Sequence, residues 1–358
     1  MKRYFLPLLL LLTACGKDEI APQNAAAGYG GYNAAALLSN AANGVILSTY
    51  QDLNNQTAAL AVATAALQAA PNAATLEAAR QAYRAARAPW EATEAFAFGP
   101  VSTLGLDGVI DTWPLNRNSL AAILASPAPL PAAGLRSLEG GLQGFHPIEF
   151  LLFGENGDKP AADLTARELA FAAATADNLH AATGRLLRAW QPVSEGGQGF
   201  AAQLAGAGPG NALYASQKTA LLELLGGLSA AADELANSKI ERPLRTGDLT
   251  FEEARFSQNS LAEFTQNLRG IENLYLGRYG AGSDGVGLHS FVETRSPALD
   301  ATFRQQLTDA QAALAGLPGG RFDEAVRQNP AAVRAAQAQV RAVQATLDGP
   351  IAGLINNL

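Results

Sequence analysis

The sequence predicts an all-α protein built as two helical-bundle halves packed against each other. Three observations point there. Alanine is abundant and runs of β-branched residues are scarce. Apolar residues recur at helical spacing over long windows, with no convincing strand alternation. Proline- and glycine-rich breaks separate those windows at helix-like intervals.

Taken in order, Leu37, Leu38, Ile46, Leu53 and Leu60 mark a helical run from about Asn33 to Ala70, and Pro71-Asn72 stops it. A second helix runs from about Ala74 through Trp90 toward Phe98, with a kink expected at Pro89 and an end at Gly99-Pro100. Residues 99–117 read as a long loop, which marks the stretch as functional or locally structured. Further helices are predicted near 135–153, 163–190, 211–238, 252–276, 298–315 and 330–347. The Gly-rich region 192–210 is the natural boundary, giving an N-terminal bundle half at 33–200 and a C-terminal half at 201–358. No short fixed repeat is present, which argues against a solenoid.

Composition narrows the function classes. The chain has 358 residues, 48% apolar and 16% charged, which is a folding composition. Its formal charge of −7 leaves no basic face for phosphate contacts, so no nucleic-acid partner is expected. A single Cys excludes an intrachain disulfide.

That Cys lies at the end of an N-terminal leader. Lys2 and Arg3 precede an apolar run, Phe5 to Leu12, too short to span a bilayer. Leu12-Thr13-Ala14-Cys15 resembles a bacterial lipobox, where the Cys is lipidated and becomes the mature N-terminus. Residues 1–14 are then a lipoprotein signal peptide, and 15–32 a flexible tether with Gly28, Gly30 and Gly31. The membrane is a partner through the lipid at Cys15. The expected place is the cell envelope, anchored to the outer membrane and facing the periplasm or the surface. An ordinary signal peptide with a chance Cys is the alternative.

The chemistry-bearing candidates are few. Only His146, His180 and His289 exist. His146 and Glu149 are three apart, so on a helix they share a face and can reach one ion. An imidazole with a carboxylate suits zinc or iron better than calcium or magnesium. The plainer alternative puts His146 at an N-cap, Pro147 at the first helical position and Glu149 at the third, where a carboxylate favours the helix N-terminus. On residue types alone the plainer alternative ranks slightly ahead, but His is a poor N-cap. His180 and His289 read as edge, structural or solvated histidines, with either available as a third ligand. There is no His-Glu-x-x-His and no paired Glu-x-x-His, so neither an ordinary zincin nor a ferritin-like di-iron site is indicated.

Gly144-Phe145-His146-Pro147-Ile148-Glu149 resembles the Gly-x-His-x-x-Glu signature of the imelysin-like proteins. Trp90 to Phe96 with Phe98-Gly99-Pro100, Asp111 to Leu115, and the segments Arg255 to Leu261 and Asn267 to Ile271 are similar to ordered segments of the same family. The likeness runs from about residue 33 to near the C-terminus. It implies cell-envelope proteins, often lipoproteins, associated with iron uptake and historically classed as peptidases. It implies two helical halves with a site at their interface, and carries over His146 and Glu149 as its core.

Glu94, Asp111 and Arg255 are further candidates as polar residues inside family-like segments, and Gly144 as part of the signature. Glu94 or Asp111 is expected to complete a metal set with His146 and Glu149; the equal alternative is that each caps a helix or makes a structural ion pair, with a buried Arg255 neutralising Glu94 or Glu149. The expected function is non-enzymatic binding of iron, or zinc, in iron acquisition, with an iron-uptake protein as partner. The alternatives are a zinc metallopeptidase using the same pair and a non-catalytic module binding a peptide or glycan.

Overall fold

The computed structural model describes residues 32–128, 130, 138, 140–191 and 199–358. The signal peptide, Cys15 and all of the tether but Tyr32 lie outside the described residues. Among the described residues every regular element is helical, as the periodicity predicts.

The first long rod runs Ala35–Ser39, a π-type turn Asn40–Ile46, and α1 (Leu47–Ala69). Ile46, Leu53, Leu60 and Leu67 recur every seventh position and are all buried, so one stripe faces the core. Each such side chain contributes roughly 2 kcal/mol by leaving water. Asn72 then caps α2 (Ala73–Thr93), accepting from the Ala74 and Thr75 amides while the Thr75 hydroxyl accepts from the Asn72 amide. Pro89 does not interrupt α2, and a further turn, Glu94–Phe96, extends it.

The stretch 99–117 is locally structured, with short helices Pro100–Thr103 and Asp107–Ile110. The motif helix is α3 (Phe145–Phe153). Next comes α4 (Ala166–Trp190), capped by Thr165 and Glu168. α5 (Gln217–Glu234) passes into a π-type turn, Leu235–Ile240, and on to Glu241–Thr246. α6 (Ser260–Leu276), α7 (Pro297–Ala315) and α8 (Pro330–Thr346) complete the long helices.

α1 packs between α2 and α4, α6 crosses α2, and α7 pairs with α8. One apolar cluster runs from Leu37 through Phe145 and Leu228 to Ile355. Short helices at Arg117–Ala125, Phe200–Ala205, Leu288–Arg295 and Phe322–Gln328 were not signalled by periodicity, because each is too brief to carry one. The helix expected at 252–276 begins only at Ser260, and the preceding segment 252–258 is turn-like. No helix among the described residues is long and apolar enough to cross a membrane.

Candidate functional site

Two close approaches set the site. At Gly144 the backbone has φ 74°, and a β-carbon there would run into the Ile110 carbonyl oxygen. Only glycine lets the start of α3 lie against the end of Asp107–Ile110, and that contact brings Asp111 to His146. At Gly270, α6 crosses α2 so tightly that a β-carbon would meet the Ala92 carbonyl. One turn earlier on α6, Asn267 donates to the Glu91 carbonyl at 3.0 Å.

His146 lies in the first turn of α3, one position after Phe145, and Gly144 is the N-cap. The plainer capping alternative is therefore replaced: His146 caps nothing. Its Nε2 sits 3.1 Å from Asp111 Oδ1, and its Nδ1 3.6 Å from Glu149 Oε2. The ring is 1% exposed, yet neither nitrogen has an aligned hydrogen-bond partner. Glu149 is not spent on its own helix. Its Oε1 accepts from both the amide and the hydroxyl of Ser257 at 2.7 Å, and its Oε2 is left unpartnered.

Asp111 is held on three sides. Arg87 Nη1 donates to its Oδ1 at 2.6 Å and Trp90 Nε1 to its Oδ2 at 2.5 Å, with His146 beside them. Arg87 is wholly buried and also pairs with Glu91, with Glu253 at 3.1 Å and with Glu263 at 2.8 Å. Lys239, from the π-type turn after α5, reaches Glu91 at 2.8 Å, Glu94 at 2.6 Å and Glu253 at 3.0 Å. Such π-type turns often accompany functional positions. Asn267 Nδ2 closes the set on Glu91 and Glu94, each at 2.8 Å.

Five carboxyl groups, those of Glu91, Glu94, Asp111, Glu253 and Glu263, thus face two fixed cations among the described residues, in a centre of low dielectric. The excess is met partly by protons. Burial raises Glu94, Glu253 and Glu263, the last to about 7, against the pull of Lys239 or Arg87. Burial also opposes ionisation of Asp111 and Glu91, but Arg87 beside both, with His146 on Asp111 and Lys239 on Glu91, holds them below the usual carboxylate range. Burial would lower His146, yet Asp111 and Glu149 on its two sides lift it to about 10. In the metal-free protein the ring is therefore an imidazolium, a third cation.

Donor atoms of Asp111, His146 and Glu253 lie within 4.8 Å of one another, as do those of Glu91, Glu94 and Asp111, and of Glu91, Glu253 and Glu263. His180 and His289 belong to none of these sets. His180 Nδ1 lies 3.4 Å from the Thr57 hydroxyl, and His289 is fixed by the Gly285 carbonyl and Arg304. Among the described residues neither groups with His146, so the expectation that either stands beside it as a third ligand is not met.

Arg255 does not neutralise Glu94 or Glu149. It pairs with the half-exposed Glu155 and lies over the Phe256 ring. Glu94 is paired instead by Lys239, and Glu149 is held by Ser257. Arg87, Glu91, Lys239, Glu253, Glu263, Asn267 and Ser257 join the site without any motif in the sequence that marks them. One signal was available: Arg87, Glu91 and Glu94 recur at i, i+4 and i+7 on a helix whose face is otherwise apolar.

Fold and site together define an all-helical protein whose N-terminal and C-terminal stretches jointly enclose a carboxylate-rich histidine centre. This chain belongs to the imelysin family, whose model matches residues 46–348. It is 32% identical over 317 residues to iron-regulated protein A of Synechococcus elongatus, covering 87% of this chain and 84% of that protein. Two crystal structures share the fold. A protein assigned as an iron-regulated protein A precursor, from Parabacteroides distasonis, superposes with a TM-score of 0.82 at 21% identity, over 91% of this chain and 97% of that one. An imelysin-like protein from Psychrobacter arcticum does so at 0.71 and 19% identity, over 88% and 94%.

Proposed function

We propose that this protein is a cell-envelope lipoprotein that binds a metal ion, iron before zinc, in the service of iron acquisition. The observation that carries the reading is His146: a buried imidazole, without an aligned partner on either nitrogen, standing between two carboxylates. Asp111, His146 and Glu253 offer the donor set, and an N/O set of this kind suits iron or zinc. Glu149 acts behind the ring: with its Oε2 facing Nδ1, it turns Nε2 toward the ion, the carboxylate–histidine arrangement common at metal sites. Glu94 is already engaged by Lys239 and Asn267 and stands outside this donor set. The relative from Synechococcus elongatus carries iron regulation in its name, which supports iron over zinc.

Binding must displace the His146 proton, so affinity rises with pH. The burial of His146 and Glu149 favours enclosing an ion over admitting a polypeptide, which places metal binding ahead of peptidase activity. The test is titration calorimetry of chelator-stripped protein with Fe and Zn. His146→Ala is expected to lose at least about tenfold in affinity while keeping its helical circular dichroism, and Glu149→Gln to lose about 10- to 100-fold. Equal affinity in wild type and His146→Ala overturns the reading.

A further inference from the structure

A cavity of about 660 Å³ lies between α1, α2, α6 and the glycine-rich turn that follows α6. Ala85, Ala88, Pro89 and Ala92 form its apolar floor. At about 3.6 residues per turn these four share one side of α2, and Arg87, Glu91 and Glu94 share the opposite side. The cavity is thus separate from the buried centre.

The three charged residues of its wall, Asp52, Arg269 and Arg278, are already engaged. Asp52 accepts from the Tyr279 hydroxyl at 2.7 Å and from the Gln56 amide at 3.1 Å. Arg269 donates to Glu272 at 2.7 Å, and Arg278 to Glu272 at 2.9 Å and to Asp284 at 3.3 Å. Much of the uncharged polar wall consists of side-chain amides, those of Gln56, Gln266 and Asn273.

Two polar atoms of this wall have no partner. Asn273 is 5% exposed, and its Oδ1 accepts no hydrogen bond. Arg278 Nε is also buried and donates none. Buried polar atoms are nearly always paired, so these two mark a place for a ligand. Oδ1 is an acceptor and Nε–H a donor. An anion would answer only the donor, and an ammonium group only the acceptor. Hydroxyl groups both donate and accept, so a neutral polyhydroxyl ligand answers both.

Tyr279 supplies the remaining element of a sugar site. Its ring is 40% exposed and is fixed through its hydroxyl by Asp52, which leaves a flat aromatic face for the C–H side of a sugar. Beyond Tyr279 and Asp52 a second cleft of about 540 Å³ continues with Asn43, Gln51, Asn55 and Gln191, and Asp52 is the only charge among its described lining residues. A peptide is less well served. Alanine and proline in the floor give its side chains little to discriminate, and the helical walls have no strand edge for its backbone to join.

We propose that this cavity binds a neutral oligosaccharide, with Asn273 and Arg278 holding its hydroxyl groups and Tyr279 stacked on one ring face. The proposal does not depend on metal binding. It is tested by calorimetric titration of the metal-stripped protein with maltotriose, cellotriose and triacetylchitotriose. At least one is expected to bind at millimolar concentration or below, and His146→Ala to bind it as wild type does. Asn273→Leu removes an unpartnered buried amide, so it is expected to keep or raise the melting temperature while weakening binding at least about tenfold. Tyr279→Ala, at an exposed position, is expected to stay folded and to weaken binding as well. No binding of any of the three sugars by wild type, unchanged binding in either variant, loss of binding in His146→Ala, or trialanine or citrate binding as tightly as the best sugar would each overturn it.

Discussion

Glu149 and Ser257 are joined twice at one atom: the Ser257 amide and hydroxyl both donate to Glu149 Oε1 at 2.7 Å. This clamp fixes the motif helix to the turn-like segment before α6 and leaves Oε2 for His146. Ser257→Ala removes one of the two bonds to a buried carboxylate. Stability is expected to fall by about 1–3 kcal/mol, read from the midpoint of urea unfolding.

Gly144 is held by sterics as well as by its φ. Gly105 has a positive φ too, but a β-carbon there meets nothing. Gly144→Ala is therefore expected to destabilise more than Gly105→Ala, by well over about 1 kcal/mol, in paired thermal melts. Equal losses would mean that the contact with Ile110 is unimportant.

Arg87 and Arg255 differ in kind. Arg87→Met strands several buried carboxyl groups and is expected to cost about 3–5 kcal/mol. Arg255→Gln breaks a pair whose acid is 42% exposed, with an expected change of no more than about 1 kcal/mol. Denaturant titration of both variants checks the ranking.

The centre gives the metal-free protein a definite pH dependence. Glu263 has a folded value of about 7 against an ordinary 4.5, so between these values the folded state holds a proton that the unfolded chain has released. Its contribution is fully present below the unfolded value and is lost as pH rises through 7. Glu252 has the same sign, and His146, lifted from 6.5 to about 10, extends the loss upward. Melting temperature is expected to fall from about pH 5 to about pH 8, and less steeply in Glu263→Gln. A Glu263→Gln slope matching wild type would show that Glu263 does not titrate in this window.

Lipid attachment is tested by fractionation. Cys15→Ser is expected to move the protein from the membrane pellet to the soluble fraction and to abolish incorporation of a labelled fatty acid. A variant that stays in the pellet removes the anchor at Cys15.

Much of the fold was legible in the chain. The leucine stripe of α1, the breaks at Pro71 and Gly99-Pro100, and the Ala-rich windows of α4 and α8 are local signals, and local signals decide helices. Within the site, His146, Glu149 and Asp111 were legible because a short motif and a flanking segment single them out. Ser257, Glu253 and Lys239 were not, since nothing in a turn-like stretch or at the end of a helix distinguishes a buried acid or lysine from a solvated one.

The sequence by itself determined an all-helical chain, its imelysin character and the His146–Glu149 pairing on one turn. Only the tertiary structure decided that Glu149 Oε2 faces the ring, that Arg87 rather than Arg255 is the buried counter-charge, and that Glu253 lies beside Asp111 and His146. The reason is distance along the chain. Arg87 meets Glu253 across 166 residues and Glu263 across 176, and such charges share a dry centre only once the packing of α2 against α6 has excluded water between them.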